Sequence, residues 1–199
     1  RDFYLIPLGP NKIPISLYPK DLDEETIEAL GAPKEKINSQ GKKYYIYSWP
    51  MYYKYFQESG KLNALLSKYE NWGIVTGRQP TGKCLVVIDQ DSHGEALSRW
   101  IVENYGETFT MSTPSGRRHF YYYSENQDGK EVFKGYAIDD EELKVEFLCS
   151  TDIAHFQVGF KGIGREVISD VPIRASGVYK EDFQEKFLRD FEVETLEPE

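Results

Sequence analysis

The stretch Leu85-Val86-Val87-Ile88-Asp89-Gln90-Asp91 constrains the chain more than any other. Four consecutive apolar residues, two Val and one Ile among them, read as a short strand buried on both faces, and two carboxylates follow as the strand reaches the sheet edge. Side chains at i and i+2 of a strand share a face, so Asp89 and Asp91 project together while Gln90 points away. Two carboxylates held side by side repel unless a cation neutralises them, and hard oxygen ligands favour Mg²⁺ or Mn²⁺ over zinc. By the same logic, replacing both with Ala is expected to leave the fold intact or slightly more stable in metal-free buffer.

The 199 residues suffice for one sizeable core or two small lobes, and 15 Tyr and 11 Phe supply an aromatic-rich interior. No apolar run approaches membrane-spanning length, and Pro7, Pro10 and Pro14 are incompatible with a signal peptide, so no membrane partner is expected and the chain is placed in the cytoplasm. The start at Arg1 and the Glu-Pro-Glu end read as those of a fragment. Cys84 and Cys149 lack Cys-x-x-Cys spacing and sit in apolar runs, which fits reduced core residues and not a structural zinc site. A net charge of −9 argues against a protein that coats nucleic acid, although an acidic protein can still handle DNA through one basic, metal-assisted groove.

Along the chain, residues 3–17 read as a strand, a Gly-Pro-Asn turn and a second extended piece carrying Pro14, and a short acidic helix starting at Asp21 or Asp23 runs to Leu30. Residues 33–48 are polar and Tyr-rich, a loop and a strand. Tyr53 to Tyr69 has a helical period interrupted by Gly60. A strand from Trp72 to Gly77 precedes the central strand, after which Ser92-x-x-Glu95 reads as a capping box for a helix carrying Leu97, Trp100, Ile101 and Tyr105 and closed by Gly106. Thr108 to Thr113 and Arg118 to Tyr123 form a hairpin across Pro114-Ser115-Gly116-Arg117, with His119, Tyr121 and Tyr123 on one face and Arg118, Phe120 and Tyr122 on the other. A polar linker runs to about Glu142, and Leu143 to Leu148 is a strand expected to pair with Ala154 to Phe160 across Ser150-Thr151-Asp152. Lys180 to Phe191 is an acidic amphipathic helix.

Polar residues interrupt these β-type runs at Asp89, Asp91, Ser115 to His119, and Glu146. A carboxylate inside Val-Glu-Phe-Leu is costly if buried alone, so Glu146 should face a cation or a cleft. Ser115, Gly116, Arg117, Arg118 and His119 offer a hydroxyl, backbone N–H groups freed by Gly116, two guanidiniums and an imidazole, a cluster suited to a triphosphate. His93 and His155 have no metal-ligand spacing and read as ordinary loop and hairpin residues.

The order Ile-Pro-Leu with Lys-Ile-Pro, Trp-Pro, Gly-Ile-Val-Thr-Gly, Leu-Val-Val-Ile-Asp-Gln-Asp, Thr-Pro-Ser-Gly-Arg-Arg-His and Val-Glu resembles the bifunctional primase-polymerase domain of the archaeo-eukaryotic primase superfamily, from Phe3 to about Phe160. The resemblance implies an α+β fold, an N-terminal α/β lobe packed on an RRM-like antiparallel sheet with the active site in the cleft between them. It implies one catalytic domain over 1–199, with a cap lobe (1–70), a metal-binding core (71–179) and an acidic C-terminal segment (180–199), cut from a larger replication protein. Asp89, Asp91 and Glu146 would hold Mg²⁺ or Mn²⁺, Ser115 and His119 the incoming triphosphate, and Arg117 and Arg118 would assist. The implied activity is template-dependent nucleotide addition by a DNA polymerase, extending to priming, with DNA template and primer, dNTPs or NTPs, and a fused helicase as partners. This chain departs from the family in carrying Glu146 where aspartate is commoner, and in lacking a Pro-Pro-Ser-like segment and a cysteine-rich zinc stem.

Two other classes fit parts of the pattern. An Asp-x-Asp nucleotide-sugar transferase would use the metal pair without the Ser115 to His119 turn or Glu146. A non-catalytic RRM-like module would bind nucleic acid through exposed aromatics such as Tyr121 and Tyr123.

Overall fold

The computed structural model describes residues 2–92, 94–124, 131–137, 140–149, 157–162 and 164–191. In chain order it runs β1 (Leu5–Leu8), a 3-10 turn (Pro19–Asp21), α1 (Glu24–Leu30), β2 (Lys34–Ile37), β3 (Lys43–Ile46), α2 (Trp49–Glu58), α3 (Leu62–Leu66) and β4 (Asn71–Val75). It continues with β5 (Gly77–Arg78), β6 (Cys84–Gln90), α4 (Glu95–Tyr105), β7 (Thr110–Ser112), β8 (Arg118–Ser124), β9 (Glu131–Ala137) and β10 (Asp140–Cys149). The last elements are β11 (Gln157–Lys161), β12 (Glu166–Ser169), β13 (Arg174–Ser176) and α5 (Lys180–Phe191). The fold is mixed α+β, and its sheets are mostly antiparallel. No described helix is long and apolar enough to cross a membrane.

Two compact units divide the chain. One holds Phe3–Val75 with Gly159–Gly162; the other holds Arg1–Asp2, Thr76–Val158 and Ile163–Glu199. In the first, Asp23 starts α1 by accepting the Thr26 N–H at 2.7 Å. The interrupted period of residues 53–69 resolves into two helices: α2 buries Tyr52, Tyr53 and Phe56, and α3 buries Leu62, Leu65 and Leu66 after Gly60 turns the chain at φ +77°. β4, expected with the metal-binding core, pairs with β1 in the register Leu5↔Ile74 to Leu8↔Asn71 and joins a three-stranded sheet ordered β1-β4-β11. Residues 33–48 form more than a loop and a strand, since β2 and β3 make a hairpin of their own.

The second unit is built on a sheet ordered β12-β7-β8-β6-β10-β9, with β13 along β8 and β5 along β6. The central strand is enclosed as its composition requires, every residue from Cys84 to Ile88 being buried. Its even-numbered face, Cys84, Val86 and Ile88, forms one core with Leu97, Trp100 and Ile101 of α4, Phe120 and Tyr122 of β8, and Phe183 and Phe187 of α5. Trp100 is the hub, with ring centroids 5.5 Å from Phe183, 5.8 Å from Phe187 and 5.5 Å from Phe191. Each such buried ring contributes about 1.5–3 kcal/mol. Cys84 and Cys149 are buried there as thiols with their Sγ atoms 3.7 Å apart, without a disulfide bond, as their apolar surroundings imply.

Three local expectations are corrected. The Ser92-Glu95 capping box does not form: Gly94 is the N-cap of α4 without a side-chain bond, and the Ser92 hydroxyl donates to the Lys144 carbonyl at 3.4 Å. The linker ahead of Glu142 contains β9 and the start of β10, because Val132, Phe133 and Tyr136 carry strand propensity among their acidic neighbours. Of Ala154 to Phe160, the described part from Gln157 on does not pair with β10, whose two edges are taken by β6 and β9; β11 joins the sheet of the first unit instead. The turn at Ser150-Thr151-Asp152 lies outside the described residues.

Candidate active site

Strand register assembles the site. Asp89 of β6 is directly opposite His119 of β8 on one side and Glu146 of β10 on the other. Residues directly opposed in an antiparallel ladder share a face and stand about 4.5–5.5 Å apart at Cβ. His119, Asp89 and Glu146 therefore form a row across three adjacent strands, on the face away from α4. His119 Nε2 lies 3.2 Å from Asp89 Oδ1, and the imidazole is buried while the Asp89 side chain is 21% exposed.

One row further on, the Asp91 N–H donates to the Lys144 carbonyl at 2.9 Å, extending the ladder past the end of β6. This keeps Asp91 on the Asp89 face, as the i, i+2 spacing predicts. Arg117 Nη1 donates to Asp91 Oδ1. Each carboxylate thus has a nitrogen partner: Asp89 has the imidazole and Asp91 the guanidinium.

Gln90 does point away, but it is not idle. Its amide donates to the Ser92 and Gly94 carbonyls, both at 3.0 Å, and its Oε1 accepts from the Ser98 hydroxyl at 2.5 Å. These bonds tie the backbone beyond Asp91 to the first turn of α4. A polar residue in an otherwise apolar strand face was the sequence signal for this role.

The hairpin tip differs from the expected anion nest. The Gly116 N–H donates to the Thr113 carbonyl at 2.9 Å and the Arg117 N–H to Thr113 Oγ1 at 3.2 Å, so both amides are used within the turn. Gly116 adopts φ +80°, which the turn requires. Ser115 is exposed at the tip, its hydroxyl 3.0 Å from Thr113 Oγ1. Arg118 alternates onto the helix side and reaches Glu95 of α4 at 3.6 Å. Of the residues singled out from sequence, Asp89, Asp91, Glu146, His119 and Arg117 share one face of the sheet, with Asp89 paired to His119 and Asp91 to Arg117; Arg118 lies on the other face and Ser115 at the hairpin tip. His93 and His155 lie outside the described residues.

Arg165 was not singled out. Gly164, at φ +78°, packs so closely on Pro114 that a Cβ would lie 3.1 Å from the proline ring, and this contact brings the next residue against the hairpin. Burial lowers the Arg165 guanidinium's affinity for its proton, opposed by Tyr121 and Asp89. Burial in turn raises the Tyr121 phenol above its ordinary value, with Asp89 adding to the rise and Arg165 opposing it. Nothing local in the sequence marks Arg165, whose place depends on the route back from β11. Three buried nitrogen atoms around this face, His119 Nδ1, Arg117 Nε and Arg165 Nη1, have no hydrogen-bond partner among the described residues. Buried groups of this kind normally find one.

The donor set matches a hard divalent cation in kind, since carboxylates occupy adjacent strands and Asp89 and Glu146 are register neighbours. As the side chains stand, no three His, Cys, Asp or Glu among the described residues gather around one point. Comparison of the chain with protein-family models and with curated proteins returns no match to either.

Proposed function

We propose that this chain is a template-dependent nucleotidyltransferase, a DNA polymerase whose chemistry extends to priming, using Mg²⁺ or Mn²⁺ at Asp89, Asp91 and Glu146. The observation that carries the proposal is the row His119-Asp89-Glu146 on three adjacent strands, bordered by three buried nitrogens without partners among the described residues. The resemblance to primase-polymerase domains supports it, and the RRM-like layout of the sheet belongs to the same proposal.

In the reaction, the oxygen of a primer 3′-hydroxyl forms a bond to the α-phosphorus of an incoming nucleotide while the bond to pyrophosphate breaks. Divalent ions, when bound, lower the pKa of that hydroxyl and neutralise the leaving pyrophosphate. The chain's own part is positioning and charge. Arg117 leaves Asp91 free for metal by moving its guanidinium to a phosphate, an exchange of one anionic partner for another. His119 is held by Asp89 through Nε2, which leaves Nδ1 as the atom presented to the triphosphate. Arg165 Nη1 supplies a further donor to the same oxygens.

Primer extension with dNTPs or NTPs in Mg²⁺ or Mn²⁺ tests the proposal: metal-dependent, template-directed elongation is expected, and its absence with every nucleotide and metal would overturn it. A nucleotide-sugar transferase would instead be stabilised thermally by UDP-sugars and not by NTPs. The non-catalytic RNA-binding alternative loses Tyr121, which is fully buried, and keeps Tyr123, which is half-buried with the Lys83 ammonium 4.9 Å from its ring centroid.

A further inference from the structure

β2 and β3 form a two-stranded ribbon with no third strand among the described residues, paired Lys34↔Ile46, Glu35↔Tyr45, Lys36↔Tyr44 and Ile37↔Lys43. An isolated hairpin is marginally stable in water, and this one is stiffened at its tip. Asn38 Oδ1 accepts the N–H groups of Gln40 and Lys42, both at 2.9 Å, and Gly41 takes φ +76°. Only the base is buried, at Ile46. Ile37 is 63% exposed, Tyr45 46% and Tyr44 37%.

The ribbon's charge runs against that of the protein. It carries Lys34, Lys36, Lys42 and Lys43 against one Glu35, in a chain of net charge −9. Lysines often guard edge strands against aggregation, but here they alternate with exposed Ile37, Tyr44 and Tyr45, which guarding leaves unexplained. Directly opposed residues share a face, so Lys34, Lys36 and Tyr44 lie together on one face with no acidic residue among them. On the other face Lys43 Nζ sits 3.5 Å from Glu35 Oε1, and the Tyr45 hydroxyl donates to Glu35 Oε2 at 3.5 Å. Lys43 is the one lysine of the four with a carboxylate partner among the described residues. Lysines for phosphates interleaved with tyrosines for bases are the elements of a single-strand binding surface.

We infer that the β2-β3 ribbon binds single-stranded DNA, with Lys34, Lys36 and Lys42 on the phosphates and Tyr44 stacking a base. The choice of DNA rests on the nucleotidyl-transfer proposal, in which an unpaired template strand must be held; the binding surface itself does not depend on the metal site.

The test is fluorescence anisotropy of a labelled oligo-dT 12-mer with the full chain in EDTA, over a salt titration. Wild-type protein should bind with a salt dependence whose slope is shallower by about 0.7 in Lys36→Gln and again in Lys42→Gln, one phosphate going unneutralised in each. Tyr44→Ala should weaken binding about fivefold or more at every salt concentration. Lys20→Gln, an exposed lysine elsewhere in the same unit, should bind as wild type does, and melting temperatures should show that all four variants fold. Equal binding by wild type and ribbon variants would overturn the inference, as would tighter binding of an RNA 12-mer or a change of oligomeric state in Tyr44→Ala. Mn²⁺-dependent thermal protection by dNTP, measured on the same proteins, separates the two proposals. Its absence in wild type would remove the nucleotidyl-transfer reading while ribbon binding stood, and its retention in variants that no longer bind the oligonucleotide is the result expected here.

Discussion

The two faces of β6 invite comparison. On the helix side, Val86 and Ile88 meet Leu97, Trp100, Phe183 and Phe187, and the polar groups at the margin are satisfied. Gln90 has three partners, the Trp100 indole N–H donates to Asp190 at 2.8 Å, and the Tyr122 hydroxyl donates to the Gly106 carbonyl at 2.7 Å. On the other face, Leu85 and Val87 give way to Asp89, the row continues into His119 and Glu146, and three buried nitrogens lack partners among the described residues. One face is consistent at every level and holds the fold together. The other breaks the local rules of burial, which is where functional groups are expected to be found.

Truncating the helix side should produce the largest loss of stability. Phe183→Ala removes a fully buried ring that packs on Trp100, Tyr105, Phe147 and Phe187, and should cost about 3–5 kcal/mol in chemical denaturation. Nucleotide affinity of the fraction still folded should be unchanged; a cost under about 1 kcal/mol would show that α5 is not part of the core.

Gln90 joins the two faces, and its replacement should have an intermediate effect. Gln90→Leu takes that partner from the Ser98 hydroxyl and the Ser92 carbonyl, while the Gly94 carbonyl keeps the Ser98 N–H at 3.3 Å, an expected loss of about 1–3 kcal/mol. Because those bonds hold the backbone beyond Asp91, the nucleotidyl-transfer proposal expects KM for dNTP to rise more than kcat falls. A purely structural residue would change stability and leave both kinetic constants alone.

Removing Asp89 and Asp91 together should cost less and in the direction opposite to that expected from sequence. The carboxylates are not a bare repelling pair: Asp89 faces His119 Nε2 and Asp91 the Arg117 guanidinium, so Asp89→Ala/Asp91→Ala takes those acceptors from both side chains. A loss of about 1–2 kcal/mol in EDTA is expected from the buried His119 contact, the more exposed Arg117 pair adding little. A stability gain in EDTA would restore the repelling-pair view.

The smallest expected effect is a pH dependence on the helix side. The Trp100 indole N–H, followed by Arg189, holds the Asp190 carboxyl below its ordinary value of 3.8. A depressed carboxyl adds stability that is fully present above its unfolded value and is lost as pH falls through the folded one. Tryptophan fluorescence should therefore report a small loosening of α5 below about pH 4, absent in Asp190→Asn. An identical acid profile in that variant would remove this contact from the account.

Much of both faces is legible in the sequence, for reasons that differ residue by residue. The period-2 rule alone places Asp89 with Asp91, His119 with Tyr121, and Phe120 with Tyr122, and the 3.6-residue stripe of Leu97, Trp100, Ile101 and Tyr105 gives α4 its buried side. The site residues that failed to join did so through local competition. Thr113 captured the turn amides that were expected to be free, and strand alternation carried Arg118 to the helix side. What stayed illegible was set by long-range pairing. β11 joins the β1-β4 sheet and not β10, β9 hides in an acidic segment, and Arg165, which feels the charge of Asp89, follows a glycine that packs on Pro114.

Calorimetric titration of Mn²⁺ with a dNTP present decides whether the His119-Asp89-Glu146 row holds metal and triphosphate, as proposed. Wild-type protein should show saturable binding that weakens about tenfold or more in Asp89→Asn and in Glu146→Gln, each carboxylate being a hard ligand whose charge is lost. Mn²⁺ binding by both variants that matches wild type would contradict the claim.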